Sequence, residues 1–334
     1  MNALVLDGST LYVGHSSSGF IVNGTYQPYR GLAFLNANTG VSAGVPPTLS
    51  YGTTNPSIQA LAKSGNSLYF GGSFSNIAGT IRSFAGAYDT SLGTVLNWNP
   101  NTNGTVRAIS VSGTNTYIGG SFTNVGGLSK TRLAKIDLSD SSTISVFGGW
   151  NASVDSTVRA IDTSTDGNTV FLGGSFSQTN SSSTTYASAV EAATGNSFSW
   201  PVTFNSPVNT LLNVGGTVYA GGQFTLANGS ARNYLASFSE SSGALGTWNP
   251  SADGYINAMA YNADDSLIYV GGLFSSVGGA PRTNLAAVSA SGTGTVNSFA
   301  SDASGGSISA ILYNNGKVYV GGAFTGLRGS SRAR

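Results

Sequence analysis

The stretch Leu68-Tyr69-Phe70-Gly71-Gly72-Ser73-Phe74 decides the reading of this chain, because close copies of it return along the whole sequence. They begin at Leu11-Tyr12-Val13-Gly14, Thr116-Tyr117-Ile118-Gly119, Val170-Phe171-Leu172-Gly173, Val218-Tyr219-Ala220-Gly221, Ile268-Tyr269-Val270-Gly271 and Val318-Tyr319-Val320-Gly321. Successive copies are 57, 48, 54, 48, 50 and 50 residues apart. A period of that size marks one supersecondary unit repeated, each copy burying its faces against its neighbours.

Working outward from the Gly pair, a second apolar segment precedes each copy: Ala3-Leu4, Ile58 to Leu61, Val106 to Ile109, Val158 to Ile161, Val208 to Leu211, Ile256 to Met259 and Ile308 to Ile311. Between the two lie tight-turn residues such as Asp7-Gly8, Ser64-Gly65-Asn66 and Asn314-Asn315-Gly316, the chemistry of a hairpin. These are strands A and B. A third segment follows at Leu32 to Leu35, Phe84 to Tyr88, Leu133 to Ile136, Tyr186 to Val190, Leu235 to Phe238 and Leu285 to Val288, and is strand C. A last segment, strand D, closes on Trp98, Trp150, Trp200, Trp248 or Phe299. The chain has no sustained helical period. The expected fold is all-β: a β-propeller of about seven blades, each of four antiparallel strands, with the last blade incomplete. As one domain over 1–334, its blades are 1–55, 56–104, 105–156, 157–206, 207–254, 255–306 and the partial 307–334.

A blade sandwiched between two others needs apolar side chains on both faces, which explains near-continuous apolar strands in place of strict alternation. The aromatic two positions before the first Gly, and Phe74, Phe122, Phe176, Phe224, Phe274 and Phe324 after the second, read as plugs between blades. Burying each such ring stabilises by roughly 1.5 to 3 kcal/mol. The Gly pair supplies positive φ or close backbone approach where the strand ends. Blade one breaks the pair to Gly14-His15 and carries a longer B–C segment, His15 to Arg30.

Composition narrows the function. Charged residues are 8% of the chain, against about 25% in an ordinary soluble domain. With 14 Lys+Arg against 13 Asp+Glu, the net charge of +1 offers no basic field for nucleic acid. No cysteine is present, which removes thiolate metal sites and cysteine nucleophiles. The first residues, Met1 to Asp7, have no basic region ahead of their short apolar run and do not read as a secretory signal. No apolar run is long enough to span a bilayer, so no membrane insertion is expected.

Chemistry-bearing residues are few. His15 is the single histidine, too little for a His-based triad or multi-His metal site, and it reads as a loop residue. No catalytic, metal-binding or cofactor-binding residue is assigned, and no cofactor is expected. Calcium held by backbone carbonyls would leave no sequence signature. The carboxylates are scattered apart from Asp264-Asp265, which sits in an A–B turn. A glycosidase pair drawn from different blades is the least favoured reading. Asn23, Asn103, Asn151, Asn180 and Asn228 head Asn-x-Ser/Thr sequons, the number that an Asn- and Ser-rich chain produces by accident.

One charge follows the repeat: Arg82, Arg232, Arg282 and Arg332 stand ten residues after the second Gly, Arg132 stands twelve after it, and Arg30 precedes strand C of blade one. The favoured role of these Arg residues is to buttress the B–C loops through carbonyl or carboxylate hydrogen bonds. The B–C loops are expected to be the longest and most variable, and recognition falls on such loops. The candidate ligand-binding residues are therefore His15, Tyr26, Tyr29, Arg30, Arg82, Arg132, Arg232 and Arg282.

This order of elements, with a Tyr-Val-Gly-Gly-x-Phe strand, a Leu-Ala-x-x-Asp-like strand and a closing Trp, resembles the repeat propellers of large bacterial surface proteins. It is also similar to repeats of fungal cortical-marker proteins, and more loosely to kelch blades, from which it departs in spacing and charge. The resemblance covers essentially the whole chain. It implies display outside the cell and brings no shared catalytic residue. The expected function is a non-enzymatic binding or adhesion propeller at a cell or virion surface, recognising a glycan or a protein. The alternatives are a structural hub of a phage tail, filament or surface layer, and a carboxylate-dependent glycoside hydrolase. Because the sequence reaches only the start of strand C in blade seven, a neighbour completing that blade is a further expected partner.

Overall fold

The computed structural model describes residues 1–22, 25–138, 145–299 and 302–331; Asn23 and Arg332 lie outside them. Within the described residues the regular elements are all strands. They form two compact units, Met1–Ser153 and Val154–Arg334. In the first, strands A, B and C are Ala3–Asp7, Thr10–Gly14 and Leu32–Asn36; Ser57–Ser64, Ser67–Ser73 and Ala85–Asp89; and Val106–Ser112, Asn115–Gly120 and Leu133–Asp137. In the second they are Val158–Thr163, Thr169–Gly174 and Ala187–Glu191; Val208–Val214, Thr217–Gly222 and Leu235–Ser239; Tyr255–Asn262, Leu267–Leu273 and Leu285–Ser289; and then Ile308–Asn314 with Lys317–Gly322. Every blade is an antiparallel meander A-B-C, except that the last described one is a two-stranded A-B sheet. Strand D is shorter than the sequence implies. It survives as the two-residue strands Thr94–Val95 and Ser145–Val146, or as single bridges such as Val190↔Ser197 and Phe238↔Leu245, and the Trp follows it.

The Gly pair has a double cause. Its first member lies flat against the next blade: a Cβ on Gly14 would stand 2.7 Å from Ile58 Cγ2, on Gly71 2.6 Å from Val106 Cγ1, and on Gly173 2.8 Å from Val208 Cγ1. Its second member faces its own strand A, where a register shift doubles one residue against the pair, as between Ile58 and Ala60 or Val208 and Thr210. The bulge pushes a backbone carbonyl at the glycine. A Cβ on Gly72, Gly120, Gly174, Gly222, Gly272 or Gly322 would overlap the carbonyl oxygen of Ser57, Thr105, Thr157, Pro207, Tyr255 or Ser307.

The core sits between neighbouring blades. In the first unit, Tyr69, Trp98, Ala85 and Ala87 of blade two pack with Val106, Ile118, Phe122, Ala134 and Ile136 of blade three. In the second, Tyr219 and Trp248 of blade five pack with Ile256, Ile268, Ala286 and Val288 of blade six. The aromatic before the Gly pair meets the Trp of its own blade edge-on, with ring centroids 5.1 Å apart for Tyr69–Trp98 and 4.9 Å for Tyr219–Trp248. Trp200 Nε1 donates to Ser239 O at 3.0 Å and Trp248 Nε1 to Ser289 O at 2.8 Å, tying each blade to the end of strand C in the next.

The B–C connections differ from expectation. In blades two to seven each is itself a small hairpin, not a long variable loop: Asn76–Ile77 with Thr80–Ile81, Asn124–Val125 with Leu128–Ser129, Gln178–Thr179 with Ser182–Ser183, Leu226–Ala227 with Ser230–Ala231, Ser276–Val277 with Ala280–Pro281, and Gly326–Leu327 with Ser330–Ser331. The two turn residues have positive φ, as at Asn228 (46°) and Gly229 (73°), the geometry of a type I′ turn. A buried residue on the first arm, Ile77, Val125, Thr179, Ala227 or Val277, anchors the hairpin.

Candidate binding face

Strand A begins, and strand B ends, on the side that carries these hairpins. The bulge therefore presents one residue per blade there, the middle residue of each Val/Ile-x-Ala triplet. In the first unit Asn2 Nδ2 donates to Ile58 O at 3.0 Å, and Arg107 Nη1 donates to Gln59 Oε1 at 2.7 Å. In the second unit the contacts form a continuous strip. Arg159 donates through Nε to Ser175 Oγ (3.0 Å) and through Nη1 to Asn209 Oδ1 (3.4 Å). Asn209 Nδ2 donates to Ile256 O (3.0 Å) and to Asn257 Oδ1 (3.3 Å), and Asn257 Nδ2 to Ile308 O (3.1 Å).

This amide strip ends on an aromatic patch. The pair flanking the Gly motif is Ser57↔Ser73 in blade two, but Tyr255↔Leu273 in blade six. Tyr255 is 49% and Leu273 54% exposed, and Tyr234 of blade five meets Tyr255 edge-on with centroids 5.8 Å apart. Tyr234 is held at φ 66°, as are Phe84 (63°), Arg132 (67°), Tyr186 (67°) and Asn284 (64°) at the same position of other blades. Each costs on the order of 1 to 2 kcal/mol of left-handed strain. Two backbone bonds fix that position: Tyr234 N donates to Phe224 O at 2.8 Å, and Gly222 N to Tyr234 O at 3.1 Å.

A repeated side chain pins the face, and sequence reasoning passed over it. Asn103, Asp155, Asn205 and Asp253, at the end of each D–A connection, accept through Oδ1 from the first two hairpin amides of their blade, as Asn205 does from Thr225 N (2.9 Å) and Leu226 N (3.0 Å). The signal was an Asn or Asp three residues ahead of each Val/Ile-x-Ala triplet. At Asp253 partial burial works upward on the carboxyl, and the bonds from Ser275 and Ser276 together outweigh it, holding the pKa at about 2.

The sequence-predicted candidates do not gather into one place. Arg82, Arg232 and Arg282 each fork between the carbonyl of the preceding residue and a carbonyl after strand C, through Nη2 to Leu96 O (3.1 Å), Gly246 O (2.9 Å) and Asn297 O (3.1 Å). Arg132 is not their equivalent. Lys130 takes that position in blade three and donates to Gly148 O at 3.0 Å and Trp150 O at 2.5 Å, while Arg132 Nη1 reaches Ser121 O at 2.6 Å. His15, expected in an exposed loop, is only 2% exposed. Burial and then the Met1 amine hold its pKa down to about 4; Nδ1 pairs with Ser17 Oγ at 3.0 Å, and Nε2 has no hydrogen-bond partner. Tyr26 is exposed on the hairpin Phe20–Val22/Thr25–Gln27 and donates to Ser18 O at 3.2 Å, Tyr29 lies 6.0 Å from the Phe20 ring, and Arg30 is exposed.

Asp162 is the carboxyl pushed upward, to about 6, by burial first and also by Glu240. Its oxygens accept from Thr163 N and Asn213 N, both at 2.8 Å, so it works as a strand-to-strand tie inside the second unit. Among the described residues no three His, Cys, Asp or Glu side chains converge as metal ligands.

No protein-family model and no curated protein matches this sequence. Solved structures do match in fold. A structure of the Mitotic Checkpoint Complex aligns with TM-score 0.60 at 13% identity, over 93% of this chain and 80% of that one. The β-propeller domain of Myceliophteria thermophila Cps50 (Swd1) aligns with TM-score 0.55 at 11% identity, over 96% and 95%. The computationally designed protein Ika8 aligns with TM-score 0.54 at 14% identity, over 97% and 93%. The chain has a β-propeller fold.

Proposed function

We propose that this chain is a non-enzymatic propeller that binds a protein partner through the hairpin face of its second unit. The observation that carries the reading is the Tyr255–Leu273 pair. Where blade two places two serines, blade six exposes an aromatic and an aliphatic side chain, with Tyr234 beside them and an amide strip running away to Arg159. A small aromatic patch ringed by hydrogen-bonding groups has the anatomy of an interface hot spot. That one of the similar structures is a protein complex supports the same class of role. The side chains with catalytic potential are already engaged: His15 is buried and neutral, and Asp155, Asp162 and Asp253 are bonded to backbone amides. A charged fraction of 8%, with hydroxyls and amides in its place, suits display at an outer surface of a cell or virion.

The amide strip beside exposed tyrosine faces favours a glycan as the second reading, since sugars stack on aromatic rings and hydrogen-bond to amides. Screening the protein and its Tyr255→Ser/Leu273→Ser variant in parallel, on a displayed peptide library and on a glycan array, tests both. Peptide ligands that lose at least tenfold in affinity with the variant are the expected result. Array signals on glycans alone move the ligand class to sugars, and ligands indifferent to the double variant remove this face from the account.

A further inference from the structure

We propose that the outer edge of strand B in blade seven, Lys317–Gly322, is a docking groove for one extended, acid-ended strand supplied by a partner polypeptide. The inference rests on the protein-binding reading above but uses a different surface. Among the described residues Lys317–Gly322 pairs only with Ile308–Asn314. Val318, Tyr319 and Val320 are half-buried, whereas their counterparts Val218, Tyr219 and Ala220 are buried. Beside this edge lies an open groove of about 710 Å³ lined by Asp265, Leu267, Tyr269, Asn297, Phe299 and Arg328. In blade five the matching aromatics, Tyr219 and Trp248, are covered by Ala286 and Val288 from strand C of the following blade. The groove is the space that such a strand fills.

The six strands C prescribe the occupant. All pair in one register, with the first residue opposite the first glycine, as Leu32↔Gly14 and Leu285↔Gly271, and the fifth opposite the first residue of strand B, as Asp137↔Asn115 and Glu191↔Thr169. The second residue is small: Ala33, Gly86, Ala134, Ser188, Ala236 or Ala286. The fourth is a larger apolar one: Leu35, Tyr88, Ile136, Val190, Phe238 or Val288. In that register the fifth residue of an incoming strand falls opposite Lys317, and Arg328 lines the same groove, so the complementary residue there is Asp or Glu. The favoured occupant is Leu-Ala-x-Val/Ile/Phe-Asp/Glu, added to the sheet edge by backbone pairing.

Two features suit an edge that stays open until a partner arrives. Lysine on an edge strand is a device that discourages indiscriminate pairing. Phe299 stands where blades four and five carry Trp200 and Trp248, whose Nε1 needs the carbonyl of that fifth residue; phenylalanine leaves no donor unpaired when the strand is absent.

The test uses the 334-residue protein and a fluorescein-labelled peptide with the sequence of residues 283–290, carrying Asp in place of Ser289. Expected are saturable binding by anisotropy, slowed amide exchange confined to 318–321, and about fivefold weaker binding of a peptide with Lys at that fifth position. Lys317→Glu should reverse the preference between the two peptides, which keeps the test sound even if affinity itself changes. Absence of binding up to millimolar peptide, equal binding of a scrambled peptide, or an unreversed preference overturns the proposal. So does a longer natural chain whose own residues already protect 318–321. Because Tyr255→Ser/Leu273→Ser leaves this edge intact, failure here and failure of the hairpin-face reading are separately visible.

Discussion

Gly174→Ala is expected to cost about 4 kcal/mol or more in urea unfolding followed by tryptophan fluorescence, and Gly173→Ala about 1 to 3 kcal/mol. The two glycines are adjacent and both buried, so a burial argument alone would rank them together. What separates them is the partner that a new methyl group meets. At Gly173 it meets Val208 Cγ1 at 2.8 Å and Leu211 Cγ at 3.3 Å, side-chain atoms that shift by rotation. At Gly174 it overlaps the Thr157 carbonyl oxygen and stands 3.1 Å from Val158 Cα, backbone held by the strand-A bulge between Val158 and Ala160. Relief requires unmaking the bulge, and with it the placement of Arg159 on the binding face. Val208→Ala should therefore recover about 1 kcal/mol or more of the Gly173→Ala cost in a double-mutant cycle and nothing of the Gly174→Ala cost. Equal costs at the two positions would show that the carbonyl contact is not what keeps the second glycine.

The same contrast explains how much of the molecule was legible in the sequence. The period, the strands A, B and C and the interblade aromatics are local signals repeated seven times, and repetition averages away the noise of a single segment. The Gly-Gly at 126–127 and 278–279 and the Asn-Gly at 228–229 are equally clear hairpin signals. They stood inside segments read as variable loops, because the strands they join are only two residues long. Arg132 was grouped with Arg82 by counting from the Gly pair. The two-residue offset puts it instead at the left-handed position before strand C, and a Lys does the work of the Arg. The binding face was the least legible part. Its residues are the middle members of Val/Ile-x-Ala triplets, Asn209 and Asn257 among them, which look like spacers until the bulge turns them outward. Exposure of Tyr255 and Leu273 depends on a cross-strand pairing that single positions do not announce.

Between pH 6.5 and 4 the two units are expected to respond to acid in opposite directions. His15 in the first unit is held neutral by burial and by the nearby Met1 amine, with a folded pKa of about 4 against about 6.5 unfolded. The unfolded chain binds the proton more readily, so the contribution of His15 is complete above pH 6.5 and is lost as pH falls toward 4. Asp162 in the second unit has a folded pKa of about 6 against 3.8 unfolded, from burial and from Glu240. Here the folded form binds the proton more readily, so stability is greatest below pH 3.8 and declines as pH rises through 6. The gap between folded and unfolded pKa makes each contribution roughly 3 kcal/mol, because a tenfold difference in proton affinity is worth about 1.4 kcal/mol. A global melt would show only the net. Amide exchange, corrected for its intrinsic pH dependence and read separately in Thr10–Gly14 and in Val208–Val214, resolves them: protection falls in the first segment and rises in the second on acidification. His15→Phe should flatten the first response, and Asp162→Asn the second, each leaving the other unchanged. Parallel responses in the two segments, or slopes that survive these substitutions, would place the pH dependence in other groups and return His15 and Asp162 to simple packing roles.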